Sequence, residues 1–230
     1  ALPGAEITLS SDLLKVWREY ERTSTTVLNA YVKPSARLYL DTLKRRLVAL
    51  GLNVEPHAMQ SNGGTATFEV AKEVPISLIE SGPVGGVIGG AALGKVLGEP
   101  NIITFDVGGT TAKTSLISGG EVKITTDYRL EWTPQFAGYP VKTPVVDIIE
   151  IGAGGGSVAW IDPVGVLKVG PKSAGADPGP ACYGLGGTDA TLTDANVVTG
   201  RIDPDNFLGG SFRVDPEKAR QAIKPIAAHY

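Results

Sequence analysis

The stretch "NIITFDVGGTTAKTSLISGGEVKITTD" (residues 101–127) constrains the chain more than any other. Runs of apolar and β-branched residues are separated only by "VGGTT" and then by "SGG". Strands joined by connections this short must run antiparallel, because a parallel neighbour needs a crossover of about a dozen residues. The reading is a local β-meander with strands at "IITFD", "KTSLI" and "EVKITTD".

Its first connection carries more than a tight hairpin needs. The strand ends in Asp106 and is followed by Gly108, Gly109, Thr110 and Thr111. The glycines are expected to turn the chain with positive φ and to bare main-chain N–H groups, while the threonines add hydroxyl donors, together a cradle for phosphate oxygens. A carboxylate at the strand tip can hold Mg²⁺ through water or orient a nucleophile. The competing reading is a plain hairpin whose glycines serve the turn alone. Lys113 either reaches a phosphate as a point charge or lies solvated on its strand.

A second glycine cluster lies in "IEIGAGGGSVAWID" (residues 149–162), where Gly152, Gly154, Gly155 and Gly156 separate two expected strands. It either lets a flat or anionic ligand approach closely or forms a bulged hairpin. The neighbouring "GPKSAGADPGPACYG" (residues 170–184) reads as a functional lid or an interdomain contact. Within it Cys182 is a packed thiol rather than a nucleophile, since His57 and His229 are both remote in sequence. Asp194 reads as an acid in the first turn of a helix.

The remaining pattern is mixed. A helix is expected over 23–50, with Tyr39, Leu43, Leu47 and Leu50 inward, Gly51 as its C-terminal cap, and Pro34 kinking or dividing it. A shorter helix precedes it, capped by Ser11 or Asp12, with Leu14, Trp17 and Val16 as its candidate inward residues. Then follow a strand over 54–60, a turn at 61–64 and a helix at 68–72. Beyond Pro75 come a short strand, a glycine turn and a helix over 84–97, whose Gly86, Gly90, Ala91 and Gly94 offer a flat face to a backbone or a ligand. Strands at 145–151, 157–161 and 166–169 and helices at 194–199 and 216–223 complete an α/β chain with a mixed sheet. Residues 1–98 hold the helical segment and βα elements, and 99–230 hold the meander, glycine loops and C-terminal helices, expected as one compact domain.

At 230 residues, 42% apolar and 20% charged, the chain has a globular composition. Its net charge of -3 is interspersed, which argues against nucleic acid or a membrane surface as partner. The longest apolar run, 75–98, is interrupted by Glu80, Pro83, Lys95 and several glycines, unlike a membrane span. A lone cysteine and an N-terminus without an export signal give a cytoplasmic expectation. The chain opens on Ala1 and has its only methionine at Met59, so it is expected to be a piece of a longer protein and inactive alone.

Asp-x-Gly-Gly-Thr between two strands resembles the phosphate motif of actin, hexokinase and heat-shock chaperone ATPases, in which two such hairpins grip one ATP. Further blocks narrow the resemblance: "EYERTSTTVLNAYVKP" (19–34), "MQSNGG" (59–64), "SGPVGGVIGGAAL" (81–93), "FDVGGTT" (105–111), "AGYPVKTPVVDIIEIGAGGGSVAWID" (137–162) and "VGPKSAGADPGPACYGLGGTDATLTDANVVTGRIDPDNFLGG" (169–210). In this order, over nearly the whole chain, they are similar to the hydantoinase A and 5-oxoprolinase family. The resemblance implies an actin-like (ribonuclease H-like) ATPase domain using ATP and Mg²⁺. It implies nucleotide contacts at Asp106, Gly108, Gly109, Thr110, Thr111, Lys113, Gly152, Gly154, Gly155 and Gly156, with Asp106 as the metal residue. A hydantoinase B-like partner and a lactam, hydantoin or ketone substrate are implied as well. The implied activity is ATP-dependent cyclic amide hydrolysis through phosphorylation of the carbonyl; the alternatives are an acetone- or acetophenone-type carboxylase subunit, or a sugar-kinase-like protein of the same superfamily. One departure stands out: where hydantoinase-like members usually read Gly-Gly-Thr-Ser-Thr-Asp, Ala112 and Lys113 fill the last two places. The missing carboxylate removes support for a metal or base role there.

Overall fold

The computed structural model describes residues 6–131, 133 and 135–230. Residues 1–5, part of the N-terminus read for an export signal, lie outside the described residues. Contacts divide the chain into two units, one of Ala1–Thr104 with Ser115–Ile148, the other of Phe105–Thr114 with Ile149–Tyr230.

In the first unit a single turn, α1 (Ser10–Leu13), precedes the 31-residue α2 (Glu19–Ala49). The expected earlier helix is thus only a turn without a side-chain cap, and Trp17 is exposed. α2 runs through Pro34 as one element despite the hydrogen bond that proline removes. Anchors before the proline hold the helix in place. The Asn29 carboxamide accepts from Ile76 N–H (3.2 Å) and donates to Glu73 O (3.2 Å), and Lys33 Nζ lies 2.7 Å from Glu73 Oε2. The buried residues of α2 are Thr25, Asn29, Lys33 and Leu40; of the expected stripe, Leu43 packs on the cluster of Leu40, Phe68 and Ala71 and Leu47 is half-buried, whereas Tyr39 and Leu50 are exposed. The C-terminal end follows the sequence: Gly51 has φ +89°, its N–H reaches Val48 O, and Leu52 N–H reaches Leu47 O, a Schellman cap.

Next come β1 (His57–Met59) and β2 (Thr65–Thr67), an antiparallel hairpin around the expected "SNGG" turn. Thr67 caps α3 (Phe68–Glu73), and a 3-10 turn at Pro75–Leu78 stands where a strand was expected. α4 (Ser81–Leu97) buries Val84, Val87 and Gly94. The flat glycine face packs on a strand in part: a Cβ at Gly90 would lie 3.0 Å from Thr104 Cγ2, and one at Gly94 would collide with Ile102, while Gly86 meets nothing.

β3 (Ile102–Val107) and β4 (Ala112–Ser118) form the expected hairpin. The third strand of the meander breaks in two: β5 (Glu121–Val122) pairs with the end of β4, and β6 (Ile124–Thr125) leaves it to pair with β9. The break falls at Lys123, whose carbonyl accepts from Asp147 N–H and whose ammonium lies 2.7 Å from Asp147 Oδ2. β7 (Tyr128–Leu130) and β8 (Tyr139–Val141) form a further pair, and β9 (Val145–Val146) is buried against the cluster of Val84, Val87 and Ile117. The strand expected over 145–151 is therefore split, its second part belonging to the other unit.

In the second unit β10 (Ile149–Ile151) pairs antiparallel with the beginning of β4, Ile151 opposite Ala112 and Glu150 opposite Lys113. β11 (Ser157–Ile161) pairs with β12 (Leu167–Ser173), longer than expected. α5 (Leu192–Val198) and α6 (Pro216–Ala227) enclose a core of Cys182, Val197, Val214 and Ala219. The chain is mixed α/β with antiparallel strand pairs. Among the described residues no helix is long and apolar enough to cross a membrane.

Candidate functional site

All the residues singled out for nucleotide contact fall in the second unit. The structure brings the two glycine clusters together, main chain against main chain. Gly155 N–H donates to Gly108 O at 2.9 Å and Gly156 N–H donates to Gly109 O at 2.6 Å. The cluster at 152–156 is not a bulged hairpin, because its flanking strands have different partners, β4 for β10 and β12 for β11.

Packing explains the buried glycines of this loop. A Cβ at Gly154 would sit 2.6 Å from Thr110 C and Thr111 N and 2.7 Å from Gly108 O. At Gly156 it would sit 2.8 Å from Ser173 Oγ and 3.1 Å from Gly109 O. The expected close approach is therefore made by the hairpin's own backbone. The loop is fixed from behind as well: Ser157 Oγ accepts from Gly154 N–H at 2.8 Å, and Gly155 O accepts from both the N–H and the hydroxyl of Thr193, each at 2.8 Å.

The hairpin glycines differ. Neither Gly108 nor Gly109 has φ in the left-handed region, so the expectation of a positive-φ turn fails. Gly108 N–H closes the turn on Thr111 O at 2.9 Å. A Cβ at Gly109 would meet nothing within 4 Å. Because the peptides here are trans, fixing the carbonyls of Gly108 and Gly109 on the 154–156 loop turns the following N–H groups, those of Gly109 and Thr110, away from that loop. Among the described residues no protein acceptor takes either of them. Two adjacent N–H groups therefore stand at an exposed tip.

Asp106 is exposed near the end of β3, and Gly152 is exposed where β10 ends. Lys113 lies on β4 with its ammonium 3.9 Å from Glu150 Oε1 across the strand pair. Ala112 is buried at 4% exposure and so belongs to the core rather than to the exposed tip. Among the described residues no group of three or more His, Cys, Asp or Glu side chains could hold a metal. A cation at Asp106 would draw its other ligands from water and phosphate oxygens, as Mg²⁺ ordinarily does.

Behind the loop stands a buried carboxylate whose reach the sequence did not disclose. Asp194 forms a capping box with Thr191 at the start of α5, as an acid in a first turn should. It also accepts from Cys182 N–H at 2.8 Å and Ala181 N–H at 3.3 Å, tying the Gly- and Pro-rich segment to the helix. Cys182 is wholly buried, and its thiol is pushed up to about 12, chiefly by burial and secondarily by the neighbouring Asp194. That is a packed thiol, not a nucleophile.

The family model for hydantoinase/oxoprolinase matches residues 22–230. The chain is 41% identical to an uncharacterised protein of Methanocaldococcus jannaschii, covering 97% of this chain and 34% of that protein. It is 38% identical to the caprolactamase alpha subunit of Pseudomonas jessenii, covering 97% of this chain and 31% of the subunit. Among solved structures it superposes on nucleotide-free acetone carboxylase with a TM-score of 0.77 at 36% identity, covering 94% of this chain and 29% of the other. The ATP-dependent caprolactamase gives 0.73 at 39% identity, with 94% and 30% covered. The chain thus spans about a third of the length of these relatives. A match over nearly every residue, carrying the two glycine loops with it, makes this chain a member of the hydantoinase/oxoprolinase family.

Proposed function

We propose that this chain is the nucleotide-binding part of an ATP-dependent enzyme that activates the carbonyl of a lactam for hydrolysis, with an actin-like division of the nucleotide between two phosphate hairpins. One observation carries the reading: the tip at Gly109 has a bare main chain that neither its conformation nor internal packing requires. Gly154 and Gly156 are demanded by contact with the protein, whereas the space beside Gly109 is open. In the proposed complex the N–H groups of Gly109 and Thr110 and the hydroxyls of Thr110 and Thr111 take the phosphate oxygens. Asp106 holds Mg²⁺ through water. Gly152 lies beside the nucleotide, and Lys113 adds positive charge from β4. Bound ATP would supply the phosphoryl group that makes a carbonyl oxygen a leaving group. The protein's share is positioning and charge stabilisation. The names of the relatives support ATP use, since acetone carboxylase and caprolactamase are both described as ATP-dependent.

A second reading, a subunit of a ketone carboxylase, is supported by the superposition on acetone carboxylase and by relatives named as acetone and acetophenone carboxylase subunits. Both readings share the hairpin. Calorimetric titration of ATP with Mg²⁺ tests it, on this chain and on any longer protein that contains it. Gly109→Val is expected to weaken binding by tenfold or more, about 1.4 kcal/mol, with an unchanged melting temperature. Full affinity in that variant would remove the tip from the site.

A further inference from the structure

We propose that Thr193 is the positioning residue of the phosphate hairpin, acting through two rigid peptide planes; the inference rests on the nucleotide reading of that hairpin. Thr193 Oγ and N–H both donate to Gly155 O, each at 2.8 Å. That carbonyl shares a planar peptide with Gly156 N–H, which donates to Gly109 O at 2.6 Å. Gly109 O in turn shares its peptide with Thr110 N–H, one of the two donors turned outward. The residue before this plane repeats the pattern, with Gly155 N–H donating to Gly108 O and the next amide, Gly109 N–H, facing out.

Glycine peptides rotate easily, so a run of them does not hold its own direction. The direction is imposed from α5. Thr193 is 7% exposed and follows Thr191, whose capping box with the buried Asp194 sets the first turn of the helix. The neighbouring strand binds the same segment, Ala159 N–H donating to Ala190 O at 2.8 Å and Val158 bridging Thr191. Hydrogen bonds in such a series polarise one another, so a donor on Gly155 O also strengthens the two amides beyond it. This gives the "TLTDAN" stretch (residues 191–196) a role that does not require contact with ligand.

The test compares Thr193→Val, which keeps the branched shape and loses the hydroxyl, with Thr193→Ser, which keeps the hydroxyl. Amide hydrogen exchange at Gly155 and Gly156 is expected to speed up roughly fivefold in Thr193→Val, the loss of one net hydrogen bond, and to return towards wild type in Thr193→Ser. Affinity for ATP with Mg²⁺ should fall by a similar factor in the first variant and recover in the second. Circular dichroism and melting of both variants separate this from unfolding. Unaccelerated exchange in a folded Thr193→Val overturns the lock. Accelerated exchange with unchanged affinity overturns its part in ligand binding. A wild type that binds no ATP overturns the nucleotide reading instead, and exchange then reports on the lock alone.

Discussion

At the scale of single residues, burial decides chemistry that residue type leaves open. Asn29 is fully buried on a helix face that looks polar, yet its carboxamide is satisfied by Ile76 N–H, Glu73 O and Thr8 Oγ, so burial costs little. Cys182 shows the opposite effect, a group held neutral. Its thiol is raised from 9.0 to about 12. Protonation therefore contributes stability that is fully present below about pH 9 and is lost as pH rises through about 12, because the unfolded chain ionises first. Melting curves above pH 9 should fall more steeply for the wild type than for Cys182→Ala, and a maleimide should label Cys182 only after unfolding. Equal alkaline slopes, or labelling of the folded chain at neutral pH, would contradict the burial argument.

At the scale of elements, whatever a local rule fixes was legible, and whatever depends on pairing was not. Gly51 announces its Schellman cap, Asp194 its place in a first turn, and "VGGTT" its hairpin, because each is decided by neighbours in sequence. The inward face of α2 was legible only in part: of the apolar spacing Tyr39, Leu43, Leu47 and Leu50, Leu43 packs on the core while Tyr39 and Leu50 are exposed, and hydrogen bonding and ion pairing bury Asn29 and Lys33. β7 and β8, three residues each, are too short to show an alternation. The pairing of the two glycine loops was invisible for the same reason, since no periodicity records that one loop rests on another. That pairing makes a sharp prediction. Gly154→Ala must displace the backbone at Thr110 and Thr111, both 2.6 Å from the new carbon, and should cost about 1–3 kcal/mol. Gly109→Ala, with open space around it, should cost well under that. Urea denaturation of the two variants compares them, and equal losses would mean that the loops do not bear on each other as described.

At the scale of the whole molecule, the chain has two units with separate buried clusters, around Val84 and Val146 in one and around Cys182 and Val214 in the other. Both strands of the β3–β4 hairpin change unit midway, at Thr104 and at Ser115, leaving the tip in the second. One such hairpin offers two outward amides and one carboxylate, few groups for the charge of a triphosphate. ATP-dependent attack on an amide requires the terminal phosphate held in line with the carbonyl oxygen, which makes effective concentration the larger part of the acceleration. A single hairpin can bind phosphate without imposing that alignment. The expected outcome is that this chain alone releases no ADP beyond background with any lactam. A longer protein containing it should release ADP in proportion to lactam added, and Asp106→Ala should lower that rate at least a hundredfold, about 2.7 kcal/mol of lost transition-state stabilisation. Coupled-enzyme assay of ADP with caprolactam, 5-oxoproline and acetone in parallel measures it. Release dependent on acetone and bicarbonate would select the carboxylase reading, and steady lactam-dependent turnover by the chain alone would show that one hairpin suffices.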